Sequence, residues 1–186
     1  TTMQNQAKSF GAEIQNHQID KIEKDETSGK ETVKYIFNPG PFTLALIRAI
    51  EDKKISIVIV TNSAKAPFIL DKANIKTFVT GGELAPHTHA YVGSYAEDFL
   101  RSFNADICFF SVRTLTPDGY LTDNALAENS VRRVMMSKSK KSVLMLDSQK
   151  IGEPCMNTLA ALDEISYVVS ETDISLNFPK HIKKFV

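Results

Sequence analysis

Three absences bound this 186-residue chain before any motif is read. It has only two cysteines, far apart: Cys108 lies inside the apolar run Ile107-Cys108-Phe109-Phe110, and Cys155 follows Pro154. That spacing matches neither a disulfide framework nor a zinc site, so the expectation is a reducing, cytoplasmic setting with no metal and no cofactor. There is no surplus of either charge. Lys plus Arg and Asp plus Glu both number 22, and a chain of zero formal charge offers no field to a polyanion, so these residues alone are expected to bind DNA poorly. Finally, no apolar run approaches the roughly 18 to 20 residues that cross a bilayer, and the start TTMQNQAKSF has no signal-peptide core, so the expectation is a soluble protein with no membrane partner. An opening at Thr1-Thr2 rather than methionine is compatible with a shortened chain and equally with a processed or tagged start.

What is present is enough apolar material, 42% of residues, for one substantial core, and one domain is the prior. From residue 33 onward short apolar runs alternate with helix-length segments. Val33–Phe37, Ile55–Val60, Thr77–Thr80, Ile107–Val112, Val143–Leu146 and Tyr167–Val169 read as strands buried on both faces. Thr43–Glu51, Ser63–Asp71, Ser94–Phe103 and Ala125–Ser139 read as helices. The fold class is α/β, a mostly parallel sheet flanked by helices. Gln4–Gln15 is a weaker helix, and the charged stretch beyond it contains a Ser-Gly turn compatible with a hairpin from Gln18 to Ile36.

In such sheets ligands sit beyond the carboxyl ends of the strands. Here those ends read Asn38-Pro39-Gly40, Thr61-Asn62-Ser63, Thr80-Gly81-Gly82, Ser111-Val112-Arg113, Asp147-Ser148-Gln149-Lys150 and Ser170-Glu171. Each has a plain structural alternative. Ser63 or Asn62 caps a helix, Gly81-Gly82 either admits a ligand to the backbone or makes a turn, and Lys150 is either a phosphate cation or a solvated surface lysine. Asp118-Gly119 reads as a turn, Asp123 or Asn124 as a helix cap, and Glu128 as a carboxylate in a first helical turn. His87 and His89 read as an exposed loop without a third metal ligand, and Arg132-Arg133 as solvated charge. One oddity is the loop IFNPGPFTLAL. It stands where a phosphate is usually held, yet Pro39 and Pro41 supply no N–H.

Taken in order, IFNPG, IVTNS, FVTGGEL, YVGSYAEDFLRSFNADICFFSV, GYLTDNALAENSVRRVMM and LDSQKIG resemble the sensor domain of the DeoR family of bacterial sugar-metabolism repressors, over about Ile36 to Glu171. The resemblance implies a fold related to ribose-phosphate isomerases, and one sensor domain over 1–186 with its core at about 33–171. It also implies a sugar-phosphate effector, an oligomer, and a DNA-binding winged helix-turn-helix that is not visible in these residues. By position it implies effector contacts from Asn38, Gly40 and Thr43, from Thr61 and Asn62, from Gly81 and Gly82, and from Thr122, Glu128 and Lys150. This chain departs from the family in three places. Asn38 stands for the usual aspartate; Pro39, Pro41 and Phe42 stand for hydroxylated residues; and Ser111-Val112-Arg113-Thr114 stands for a Gly-Val-Asp-Gly turn, making Arg113 a replacement cation. The alternative function is a sugar-phosphate isomerase or deaminase-like enzyme, using carboxylates among Asp118, Asp123 and Glu128 with Lys150.

Overall fold

The computed structural model describes residues 33–38, 57–71 and 75–178. The helices expected at Gln4–Gln15 and Thr43–Glu51, the turn of the Gln18–Ile36 hairpin, Gly40 and Thr43 lie outside them. Strands β1 (Val33–Phe37), β2 (Ile57–Thr61), β3 (Lys76–Val79), β6 (Ala105–Phe110), β9 (Ser139–Leu146) and β11 (Tyr167–Ser170) form one sheet in the order β11-β9-β6-β1-β2-β3. Every pairing in it is parallel.

Side-chain alternation divides the core in two. Ile36, Val60, Cys108, Phe110, Leu144, Leu146 and Val168 point to one face. Tyr35, Phe37, Ile59, Ile107, Phe109, Val143, Met145 and Val169 point to the other. Both faces are covered, which is why these strands are apolar at nearly every position rather than at every second one. On the first face pack the helices α2 (Ser94–Arg101) and α3 (Leu126–Ser137), through Ala96, Leu100, Val131 and Met135. On the second lies α1 (Ala66–Leu70), with Ala66 and Leu70 buried. There Phe37 stacks on Phe109 with centroids 5.1 Å apart. Burial pushes the Cys108 thiol well above the usual thiol range, so it stays protonated and serves as packing.

Two small sheets stand above this frame. A hairpin, β4 (Glu83–Ala85) with β5 (Ala90–Val92), follows β3. A three-stranded antiparallel sheet contains β7 (Thr114–Leu115), β8 (Tyr120–Asp123) and β10 (Asn157–Ala161), in the order β10-β8-β7. The turn expected at Asp118-Gly119 joins β7 to β8, with Gly119 at φ 89°. Gly82 is required for a different reason. Its φ is +113°, and a Cβ there would lie 2.7 Å from the Val92 carbonyl oxygen, so the hairpin closes only over a hydrogen atom.

The order β11-β9-β6-β1-β2-β3 reverses direction at β1, whose successor β2 lies on one side and β6 on the other. That reversal opens a crevice above the carboxyl ends of the strands.

Candidate functional site

A cleft of about 1010 Å³ occupies this crevice. Its floor is the N-terminal half of α3. Asp123, at the end of β8, accepts the N–H groups of Asn124 and Ala125 through Oδ1, at 2.7 and 3.1 Å, and so fixes the entry to the helix. Its Oδ2 meets Arg132 Nη1 at 2.8 Å. Arg132 Nη2 meets Glu128 Oε2 at 2.9 Å, one helical turn back. Nη1 also donates to Asn129 Oδ1, and Nε donates to Asn38 Oδ1 at 3.2 Å. Arg132 is 5% exposed and Glu128 likewise 5%. The reading of Arg132 as a solvated charge is therefore corrected: it is a buried hub, desolvated because two carboxylates and two amide oxygens surround it. Arg133 alone of the pair is exposed, with Nη2 on the Thr158 carbonyl oxygen. The i, i+4 spacing of Glu128 and Arg132, on the face that carries Val131 and Met135, was the available signal.

One wall comes from the ends of β6 and β9. Ser148–Lys150 forms a single 3-10 turn capped by Asp147, whose carboxylate accepts the Gln149 N–H. Glu171, at the end of β11, accepts the Ser148 N–H and hydroxyl and the Ser170 hydroxyl, pinning that turn to the sheet edge. Lys150 Nζ donates to Ser111 Oγ and to the Val112 carbonyl, both at 3.0 Å. Burial pushes the Lys150 ammonium below the usual lysine value, opposed by Asp147 and reinforced by Arg132. Arg113 follows on the same wall, exposed to the cleft.

The opposite wall comes from the end of β2 and from the hairpin. Thr61 donates to the Phe37 carbonyl and accepts the Ser63 N–H, locking the end of β2 to β1. Ser63 Oγ then accepts the N–H groups of Lys65 and Ala66 at 3.2 Å, tightening the turn into α1, whose N-cap is Lys65 and not Ser63 or Asn62 as the sequence suggested. Asn62 is wholly buried; its Nδ2 donates to the Tyr91 carbonyl, and its own carbonyl accepts the Tyr91 N–H. Asn62 Oδ1 has no hydrogen-bond partner among the described residues. These bonds swing the β4–β5 turn over the cleft, where Thr88 donates to Glu128 Oε1 at 2.8 Å and His87, His89 and Lys65 line the wall.

Of the residues implied by the resemblance, Arg113, Glu128 and Lys150 line this cleft. Asn38 is buried behind Arg132, while Thr61 and Asn62 brace the strand end. Gly81 and Gly82 form the turn between β3 and β4, with φ of 65° and 113°. Thr122 Oγ1 accepts the Cys155 N–H at 3.0 Å, and Thr122 borders a separate hollow of about 300 Å³ beside Pro117 and Pro154. Lys65, Thr88 and Arg132 were not foreseen as cleft residues. His87 and His89 face the cleft from the turn, and among the described residues no cluster of His, Cys, Asp and Glu could hold a metal ion. Among the same residues no helix is long and apolar enough to cross a membrane.

Comparison with known proteins follows the same outline. The family model for the DeoR C terminal sensor domain matches residues 30–172. The HTH-type transcriptional regulator GlpR of Haloferax volcanii is 29% identical over 147 residues, 79% of this chain and 57% of that protein. The lactose phosphotransferase system repressor of Staphylococcus epidermidis is 27% identical over 137 residues, 72% of this chain and 54% of that protein. The chain thus spans about half the length of the curated relatives it matches. Among solved structures, ribose 5 phosphate isomerase A from Neisseria gonorrhoeae superimposes with a TM-score of 0.54 at 12% identity, covering 82% of this chain and 56% of that one. At that identity the likeness is one of fold.

Proposed function

This chain belongs to the family of DeoR C-terminal sensor domains, and from that premise we propose that its cleft senses a phosphorylated sugar or a related small anionic metabolite. The observation that carries this reading is the placement of Lys150. Its ammonium is half-buried at a strand end, held over the cleft by two oxygens, and pushed down in pKa by burial. An anion beside it would relieve that penalty through a charge-assisted bond. Arg113, exposed on the same wall, supplies a second cation with a planar fork suited to phosphate.

In this reading residues 1–186 form one sensor domain with its core at about 33–171, and the loop Asn38 to Thr43 is a phosphate loop altered by its prolines. Effector binding biases a conformational equilibrium felt by a DNA-binding module elsewhere in the full-length regulator, which is cytoplasmic and homo-oligomeric. The names of the relatives, transcriptional regulators among them, support regulation over catalysis. So does the chemistry of the floor: Asp123 and Glu128, two of the three carboxylates weighed as acid or base, are each ion-paired with Arg132, and the third, Asp118, borders the separate hollow beside Pro117 instead of this cleft.

The test is a thermal-shift screen of sugars against their phosphates. A ligand at about 100 times its dissociation constant stabilises the native state by roughly 2.7 kcal/mol. Stabilisation by phosphorylated sugars alone, lost in Lys150→Ala, is the expected result. Equal response to phosphorylated and plain sugars would overturn the proposal.

A further inference from the structure

Cations stand on both walls of the cleft. Lys150 and Arg113 are on one, beyond β9 and β6, while Lys65 is on the other, beyond β2, with the imidazoles of His87 and His89 beside it on the hairpin turn. Between them lies a floor in which one guanidinium faces two carboxylates, Asp123 and Glu128. That floor carries a net negative charge and presents oxygen acceptors. It repels an anion but accepts hydrogen bonds from hydroxyl groups. In the sheet, β1 separates β6 from β2, so the strand ends that lead to Arg113 and Lys65 are two strand spacings apart, roughly 10 Å. A six-carbon chain with an anionic group at each end has about that length. The volume of about 1010 Å³ is at the upper limit for a small-molecule site, typically about 300 to 1,000 Å³, and generous for a sugar with a single phosphate. Glu153 on the outer rim is the remaining carboxylate of the lining; it is exposed, and water screens it.

We propose that the cleft takes a sugar or polyol bearing an anionic group at both ends, one held by Arg113 and Lys150, the other by Lys65 and the His87–His89 turn, with the hydroxylated middle lying over Asp123 and Glu128. The proposal rests on the sensor reading given above and narrows its ligand class. Phosphate and carboxylate share the required chemistry at the second end, and the ligands below separate them.

The experiment is calorimetric titration of the full chain, at one fixed salt concentration, with fructose bisphosphate, fructose monophosphate and phosphogluconate. The proteins are the parent and the variant Lys65→Ala with His87→Ala; both side chains are exposed, so folding is spared. The parent is expected to bind the bisphosphate at least about tenfold more tightly than the monophosphate, as one added charge-assisted contact provides. The double variant should lose that advantage and keep its monophosphate affinity. Phosphogluconate ranking with the bisphosphate assigns a carboxylate-tolerant second end; ranking with the monophosphate assigns a phosphate-specific one. Equal parent affinity for bisphosphate and monophosphate, or an advantage that survives in the double variant, overturns the two-ended site while leaving the sensor reading intact. Failure of all three to bind also overturns the two-ended site, and the sensor reading then stands or falls on the thermal-shift screen.

Discussion

Arg132 Nε donates to Asn38 Oδ1 across 3.2 Å, joining α3 to the end of β1 over 94 residues of sequence. The same guanidinium holds Asp123 and Glu128. Arg132→Met should therefore cost about 3 to 5 kcal/mol, because two buried carboxylates lose their counter-charge at once. Urea unfolding measures this. Arg132→Lys should recover only part of the loss, since an ammonium cannot reproduce the planar fork that reaches four partners.

Lys150 gives a pH signature of a definite sign. Burial lowers its folded-state pKa below the ordinary 10.5, so in the alkaline window between the two values the unfolded chain binds more protons than the folded one. Stability then rises with pH across that window. Relative to a Lys150→Met variant, the parent should gain stability as pH climbs toward 10.5, which chemical denaturation at a series of pH values would show. In the same variant, affinity for a sugar phosphate should drop about 10- to 100-fold.

Glu171 carries the opposite sign. Burial pushes its carboxyl up, but hydrogen bonds from Ser148 and Ser170 outweigh this and hold it below the ordinary 4.5. Its contribution is present above that value and fades as pH falls through the depressed folded one. Glu171→Gln should be less stable than the parent at neutral pH, by about 1 kcal/mol, and the gap should narrow as pH falls below 4.5 toward the depressed folded value. Amide exchange should also quicken over Ser148–Lys150, the turn that Glu171 pins.

Gly82 and Gly81 separate backbone strain from collision. Both have positive φ, but only at Gly82 would a Cβ strike backbone, the Val92 oxygen at 2.7 Å. Gly82→Ala should cost about 1 to 3 kcal/mol. Gly81→Ala should cost about 1 kcal/mol, with open space around its Cβ. Melting temperatures of the two variants give the comparison, and equal losses would mean that the contact with Val92 is relieved cheaply.

Thr88→Val removes the hydroxyl that ties the hairpin turn to Glu128. The expected loss is about 1 kcal/mol, with faster hydrogen exchange confined to the turn at 86–89. Unchanged exchange there would show that the backbone bonds from Asn62 and Ala64 hold the hairpin by themselves.

The central strands were legible because burial on two faces leaves a run of apolar residues that composition alone reveals. Where that condition fails, so does the reading. β9 begins at Ser139 rather than Val143, since Ser139 to Ser142 pair with β6 yet lack the apolar pattern. The hairpin strands have three residues each and β7 has two, too few for a period of two to be seen. Their existence depends on partners distant in sequence, such as Ile151 opposite Leu115. The cleft divides the same way. Lys150 and Ser111 were visible as polar residues at strand ends, whereas His87 reaches the site through a hairpin that only tertiary hydrogen bonds put in place, and Lys65 through the short segment between β2 and α1. Arg132 is legible only as a surface charge from sequence because its ion-pair partner one helical turn back, Glu128, is also the commonplace partner of a solvated helical arginine.

The inward commitment of Arg132 has an evolutionary corollary. The guanidinium beneath the cleft is consumed by the protein itself, while Lys65, His87 and Arg113 stand exposed above it. Substitutions at exposed positions of that kind usually shift stability by no more than about 0.5 kcal/mol. Descendants of this chain can therefore exchange one metabolite for another by repainting the rim, while the chassis underneath is inherited unaltered.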